Sequence, residues 1–191
     1  LLHTAKVIED AKDLSECGVT FGDPKIEVQK ILAWKQGIVD KLTGGLTALA
    51  KRRNVEVVQG EGKFVSRNEL SVKSTNGDIT ITFEQAIIAA GSRPATLPFI
   101  PDDPRVMDST DALLLEDVNC KMLVLGGGII GLEMATVYHS LGATIDVVEF
   151  MEQLIPGVDK DIVKVLHKHI DARYNNIMLS TRVTGVEAKK E

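Results

Sequence analysis

The chain has 191 residues, long enough for one large domain or two small ones. Hydrophobic residues make up 44% and charged residues 26%, which excludes a chain dominated by charge and unable to build a core. The net charge of -5 provides no basic surface for nucleic acid, and no apolar run reaches the roughly 18 residues that a membrane-spanning helix needs.

Residue 1 is Leu and already sits in a helical pattern, with no charged and apolar leader before it. The chain is therefore expected to begin inside something longer. Cys17 and Cys120 have no motif spacing, which points to a reducing compartment and to structural or merely exposed thiols. Over 2–16 the apolar residues Leu2, Ala5, Val7, Ile8, Ala11 and Leu14 recur near a 3.6 period, and Gly18 ends the helix. A longer helical pattern over 26–53 carries Ile31, Trp34, Ile38, Leu42, Leu46 and Leu49. Gly44-Gly45 is the place where it would kink, and Lys51-Arg52-Arg53 reads as a cationic last turn.

From Val55 the period becomes that of strands: 55–58, 70–73 and 79–82. Asn76-Gly77 between the last two predicts a type I′ hairpin turn. The apolar run 86–90, ending at Gly91, reads as a strand buried on both faces. Four prolines between Pro94 and Pro104 forbid a regular element and mark a crossing between domains over 93–117, in which Ser109 or Thr110 caps a short helix to Leu115. Then follow a strand at 121–125, a helix at 131–141, a strand at 145–149, a helix at 161–169, and further strand at 177–179 and 183–186. Strand and helix alternation predicts a parallel sheet, with the 121–125 strand central.

The segment from Met122 to Glu133 holds the glycine pattern Gly126, Gly128, Gly131. It follows a strand, opens a helix, and precedes an acid, Glu149, at the end of the next strand. That context is the dinucleotide-binding unit, in which Gly126 permits the tight turn, Gly128 lets a pyrophosphate approach the backbone, and Gly131 lets helix and strand pack closely. The helix N-terminus then faces the phosphates. The competing reading is a glycine-rich strand–helix turn without a ligand. Glu149 can accept both hydroxyls of an adenosine ribose and would repel a 2′-phosphate. Residues 150–155 contain no Arg or Lys to hold one, so NAD is favoured over NADP.

The run Gly126–Glu133 with Val147-Val148-Glu149 resembles the NAD domain of the flavin disulfide reductases, and among them the dihydrolipoamide dehydrogenases. Leu1-Leu2-His3, Leu42-Thr43-Gly44-Gly45-Leu46, the Gly60–Phe64 turn, Ile87–Pro94 and Leu97-Pro98 extend the resemblance over essentially the whole chain. It implies an α/β fold: part of an interrupted FAD-binding domain (1–92), the crossing (93–117), then a doubly wound, Rossmann-like NAD-binding domain (118–191), both incomplete. The implied cofactors are FAD and NAD. The implied reaction is oxidation of protein-bound dihydrolipoamide through a redox-active disulfide and FAD to NAD, in cytoplasmic 2-oxoacid dehydrogenase complexes. The implied partners are a lipoyl-bearing acyltransferase and a second copy in a homodimer. Redox cysteines and catalytic His are expected outside these residues, so no catalytic residue is assigned. A transhydrogenase or mercuric reductase relative, and a non-catalytic nucleotide-binding module, are the alternatives.

The resemblance also implies cofactor-binding positions. Gly126, Gly127, Gly128, Ile129, Ile130, Gly131, Glu133, Glu149 and Val183 form the nucleotide side, with Val183 offering its main chain to adenine and Ile129 gating the nicotinamide. Gly62 and the turn Ala90-Gly91-Ser92 form the flavin side, with Ala90 where Thr is common; plain turn chemistry is the other reading for these four. Glu133 pairs, by the same resemblance, with a lysine beside the flavin, although an acid there could simply complement the helix dipole. His167 and His169 point to different faces of one helix, and His3 and His139 have no motif partner, so no metal site is expected.

Overall fold

The helical spacing at the start of the chain forms α1 (Leu2–Asp13), which tightens into a 3₁₀ turn over Leu14–Cys17 and stops at Gly18, φ 88°. Only glycine adopts that left-handed end cheaply. The computed structural model describes residues 1–189, so the last two residues of the 118–191 segment lie outside the described residues. The long pattern forms α2 (Val28–Arg52), which runs through Gly44-Gly45 as unbroken helix and ends on Lys51 and Arg52. Beyond Leu32 its apolar stripe is largely uncovered: Trp34, Leu42 and Leu46 are 51%, 65% and 66% exposed.

The chain forms two compact units, one of Leu1–Lys35 with the residues from Pro94 onward, the other of Gln36–Arg93. The division falls inside α2 and at the start of the proline-rich stretch. Accordingly α1 and the first turns of α2, grouped by sequence with the first domain, lie in the α/β unit. Leu1, Ile8, Ile31 and Leu32 pack on its core, and Glu9 of α1 pairs with Arg173 and accepts a hydrogen bond from Ser140 Oγ at 3.0 Å.

The 36–93 unit holds an antiparallel meander, β1 (Glu61–Ser66), β2 (Glu69–Ser74) and β3 (Gly77–Thr82). β1 includes residues read from sequence as a turn. The hairpin also differs from expectation: Ser74 pairs with Gly77, so Thr75 and Asn76 form the corner, and positive φ falls on Gly77 (113°) alone. The register Leu70↔Ile81 and Val72↔Ile79 decides this, because a one-residue slip would turn buried Val72 outward. The runs 55–58 and 86–90 are not strands. Ile87 and Ile88 are 95% and 76% exposed, and an apolar run becomes a strand only where a neighbour takes up its backbone N–H and C=O groups.

In the other unit the expected alternation is present: β4 (Lys121–Leu125), α3 (Ile129–Leu141), β5 (Thr144–Val148), α4 (Lys160–Asp171) and β6 (Asn176–Met178). All pairing is parallel, Leu125 opposite Val148 and Val148 opposite Met178. The order β4-β5-β6 puts β5, not β4, in the centre. β4 has one edge that takes no strand among the described residues, and Leu123 on it is 55% exposed, whereas Ile145 and Val147 of β5 are fully buried. Residues 183–186 are not a strand either: Ser180, φ 49°, turns the chain off the ladder after β6. Before β4, a single 3₁₀ turn (Asp111–Leu114) stands where a short helix was expected. Thr110 holds the cap position without a side-chain cap bond, and Asp108 supplies the acceptor: Oδ1 accepts the N–H groups of Thr110 and Asp111 at 2.6 and 3.0 Å. Those bonds favour the carboxylate and lower the Asp108 pKa. Tyr138 of α3, fully buried, donates its hydroxyl to Ala112 C=O at 3.0 Å and ties this turn to the core. Among the described residues no helix is long and apolar enough to cross a membrane, and no group of three or more His, Cys, Asp or Glu could hold a metal ion.

His139 lies edge-on to Tyr174, ring centroids 5.7 Å apart, under α1. Burial lowers its pKa below the ordinary 6.5. Glu9 opposes that shift, while Arg173 and Lys12 reinforce it. The unfolded chain takes the proton first, so the contribution of His139 is complete above pH 6.5 and is lost as pH falls through the folded-state value. Denaturant unfolding between pH 7.5 and 5.5 is expected to show a loss of stability on acidification that His139→Phe reduces. Equal pH slopes for the two proteins would mean that the ring is solvated.

Candidate nucleotide-binding site

The glycine segment joins β4 to α3. Gly126 has φ 110°, which a side chain would strain, and its N–H donates to Val148 C=O at 2.8 Å, closing the loop onto the end of β5. Gly128 is the residue before the helix, and a Cβ built on it meets nothing within 4 Å. The first-turn N–H groups of α3 therefore open onto free space, the arrangement that receives an anion. At Gly131 a Cβ would stand 2.4 Å from Gly126 O and 3.1 Å from a methyl of Val124, so helix and strand touch at the backbone there. Gly127, to which sequence reasoning gave no separate part, is also tight. Its Cβ would meet Leu154 Cδ2 at 2.5 Å, and its C=O accepts from Ile155 N–H at 2.9 Å. Ile155 holds φ 45°, a strained value for a β-branched residue, and the loop after β5 is thereby pressed onto the glycine turn.

Glu149 is 7% exposed. Its Oε2 accepts the Gly127 N–H at 2.8 Å and its Oε1 accepts the Met151 N–H at 2.7 Å. A carboxylate has about four lone-pair sites, so two remain for a ligand while the backbone fixes the group's orientation. Its main chain continues the sheet, with N–H to Met178 C=O and C=O from Thr181 N–H. The kink at Ser180 then brings Thr181, Arg182 and Val183 back beside it.

Gly126, Glu149 and Val183 line one cleft of about 380 Å³, together with Leu97, Phe99, Leu125, Val148, Phe150, Thr181 and Arg182. The turn glycine Gly126, the acid expected at the ribose and the residue expected at the adenine are thus brought together. Ile129 and Ile130, each 60% exposed, flank the open helix start, and Glu133 is exposed one turn further on. The flavin-side candidates belong to the 36–93 unit. Gly62 lies in β1 opposite Val72, and a Cβ on it would make only ordinary contact with Leu70, whereas Gly60 is the tight position, 2.4 Å from Lys73 O. Ala90 and Ser92 are exposed and irregular, and Gly91 has φ 72°, a turn that favours glycine whatever lies beside it.

Sequence reasoning missed Phe99, Leu154 and above all Arg182, whose Cζ lies 4.9 Å from the Phe150 ring centroid. No cation follows Glu149 in the chain before Lys160, but one arrives from beyond β6. Its place next to Val183 was the available signal.

The family model described as pyridine nucleotide-disulphide oxidoreductase matches residues 1–191. The chain is 57% identical to a dihydrolipoyl dehydrogenase of Vibrio cholerae, 50% to one of Haemophilus influenzae and 35% to one of Bacillus subtilis. In each case the match covers all of this chain and 40–41% of the relative. The chain therefore spans about 40% of the length of the curated relatives it matches. Among solved structures, LpdA from Mycobacterium tuberculosis superposes with a TM-score of 0.84 at 20% identity, over 99% of this chain and 42% of that one. The HOCl-induced flavoprotein disulfide reductase RclA from Escherichia coli superposes with 0.77 at 23% identity, over 100% and 41%. At those identities the likeness concerns the fold.

Proposed function

The chain belongs to the pyridine nucleotide-disulphide oxidoreductase family, and we propose that it is the nucleotide-side part of a dihydrolipoyl dehydrogenase that uses NAD. The observation that carries the cofactor choice is the buried Glu149 carboxylate, held by two backbone N–H groups in the cleft that Gly126 and Val183 also line. The dihydrolipoyl part rests on relatives up to 57% identical over the whole chain.

In this reading α3 directs its N-terminus at the pyrophosphate across Gly128, and Glu149 accepts the ribose hydroxyls. Leu97, Phe99 and Val183 keep water from the adenine, and Ile129 and Ile130 line the way to the nicotinamide. FAD, when bound, would relay electrons from a disulfide to NAD. Residues 1–92 would then belong to an interrupted FAD-binding domain, 93–117 to the crossing, and 118–191 to a doubly wound NAD-binding domain. The exposed stripe of α2, the bare run at Ile87-Ile88 and the open edge of β4 support this, since each is apolar surface or strand edge that further strands and helices would cover. Gly62 and Ala90–Ser92 would approach the flavin nucleotide. The complete protein would act in the cytoplasm as a homodimer on a lipoyl-bearing acyltransferase, a reducing setting that suits the free thiols of Cys17 and Cys120.

The test is purification of the complete protein. A yellow flavoprotein that reduces NAD with dihydrolipoamide is the expected result; a colourless protein that binds NAD without turnover would leave a nucleotide-binding module. Glu133 is an exposed carboxylate near the start of α3. If it pairs with a lysine beside the flavin, Glu133→Gln is expected to shift the flavin absorption and slow turnover. Unchanged spectra and kinetics would reduce it to a dipole partner worth about 0.3–1 kcal/mol.

A further inference from the structure

The cleft carries two charges of opposite sign. Among its lining residues Glu149 is the only anion and Arg182 the only cation. No ion pair joins them: each Glu149 oxygen accepts a backbone N–H, from Gly127 and from Met151. The Arg182 guanidinium instead lies over the ring of Phe150, the residue next to Glu149 in the chain. Among the described residues no carboxylate lies within ion-pair distance of it.

We propose that Arg182 is a ready-made handle for a 2′-phosphorylated adenosine nucleotide, its attraction outweighed by repulsion from Glu149. The inference rests on the reading that this cleft holds the adenosine of a dinucleotide. A 2′-phosphate replaces one of the ribose hydroxyls that Glu149 would accept, and so arrives beside both charges. Its dianion meets repulsion from the fixed carboxylate and attraction from a planar guanidinium able to bind two phosphate oxygens at once. The stack on Phe150 holds the guanidinium at this end of the cleft without consuming its donors. Cofactor choice is therefore an opposition between two residues already in place. Removal of Glu149 alone admits the phosphate, with no arginine to be added.

The experiment is calorimetric titration of the complete protein with ADP and with 2′,5′-ADP, with kcat/KM for NAD and NADP measured alongside. Glu149→Ala is expected to tighten 2′,5′-ADP at least tenfold, and Glu149→Ala/Arg182→Ala to lose that gain. In case the loss of Glu149 impairs folding, Arg182→Ala alone gives a second measure, expected to weaken 2′,5′-ADP about tenfold more than ADP. Arg182→Lys, which keeps the charge without the fork, is expected to fall between. A gain that survives in the double variant, no gain in the single one, or equal weakening of both ligands by Arg182→Ala would each overturn the proposal. Failure of the wild-type protein to bind ADP at all would instead overturn the nucleotide reading beneath it.

Discussion

Gly131→Ala is expected to weaken NAD binding by about ten- to a hundredfold and to lower the melting temperature. The added Cβ would stand 2.4 Å from Gly126 O, a backbone atom of the turn itself. Nothing flexible can yield there, so α3 must withdraw from β4 or the loop must open. Overpacking of this kind costs about 1–3 kcal/mol, which at roughly 1.4 kcal/mol per decade gives the stated range if the strain appears in binding. Two neighbours make the test internal to the loop. At Gly128 the Cβ meets nothing within 4 Å, so Gly128→Ala is expected to leave the melting temperature unchanged and still weaken NAD, because the new methyl occupies the space that the proposed function gives to the pyrophosphate. Gly127→Ala meets the end of the Leu154 side chain at 2.5 Å, which can rotate away, and Glu149 Cβ at 3.2 Å, which need give only slightly, and is expected to be milder for stability than Gly131→Ala. Equal effects of Gly128→Ala and Gly131→Ala on stability would contradict the described geometry. A Gly128→Ala protein with unaltered NAD affinity would place the pyrophosphate elsewhere.

Glu149→Ala is expected to lower kcat/KM for NAD by one to two orders of magnitude and also to destabilise the protein. Two ribose hydrogen bonds to a partly desolvated carboxylate contribute about 1.5–3 kcal/mol each before losses elsewhere. The structure adds a second consequence. The N–H groups of Gly127 and Met151, bonded to Glu149 at 2.8 and 2.7 Å, would lose their acceptor beneath a 7% exposed side chain. Each buried, unmet donor costs about 1–3 kcal/mol. Glu149→Gln is no neutral control, because its amide can accept only one of the two N–H groups and turns a donor toward the other. Measuring unfolding and NAD kinetics on the same variants separates the two parts. A fall in stability with unchanged NAD kinetics would make Glu149 a clasp between the loops and remove it from the ribose.

The α/β half was legible because its signals are local. An apolar run of four, Met122 to Leu125, a glycine turn and an amphipathic helix specify β4, the loop and α3 almost independently of what surrounds them. Glu149 follows at the end of the next strand, and spacing alone marked it. Strands that depend on a distant partner were not legible in the same way. Residues 86–90 are as apolar as β4, yet Ile87 stands 95% exposed, because an apolar run supplies the propensity and only a neighbouring strand supplies the hydrogen bonds. The Asn76-Gly77 signal was real, but the buried face of Val72 chose the register and moved the corner by one residue. Capping by Asp108 was hidden for a related reason: which side chain reaches a helix start depends on the path of the loop before it.

The sequence by itself determined the glycine loop between β4 and α3, the acid that closes on it and the alternation that makes the sheet parallel, all encoded within about 30 consecutive residues. Tertiary structure alone decided that Leu154 closes on Gly127, that the Glu149 oxygens are taken up by backbone donors, and that Arg182 meets Phe150 across the kink at Ser180. Apart from the Met151–Glu149 bond, those contacts join residues far apart in the chain, and no local period records them. They arise because parallel strands place the C-terminal ends of β4, β5 and β6 side by side, so that loops from three parts of the sequence close on one cleft.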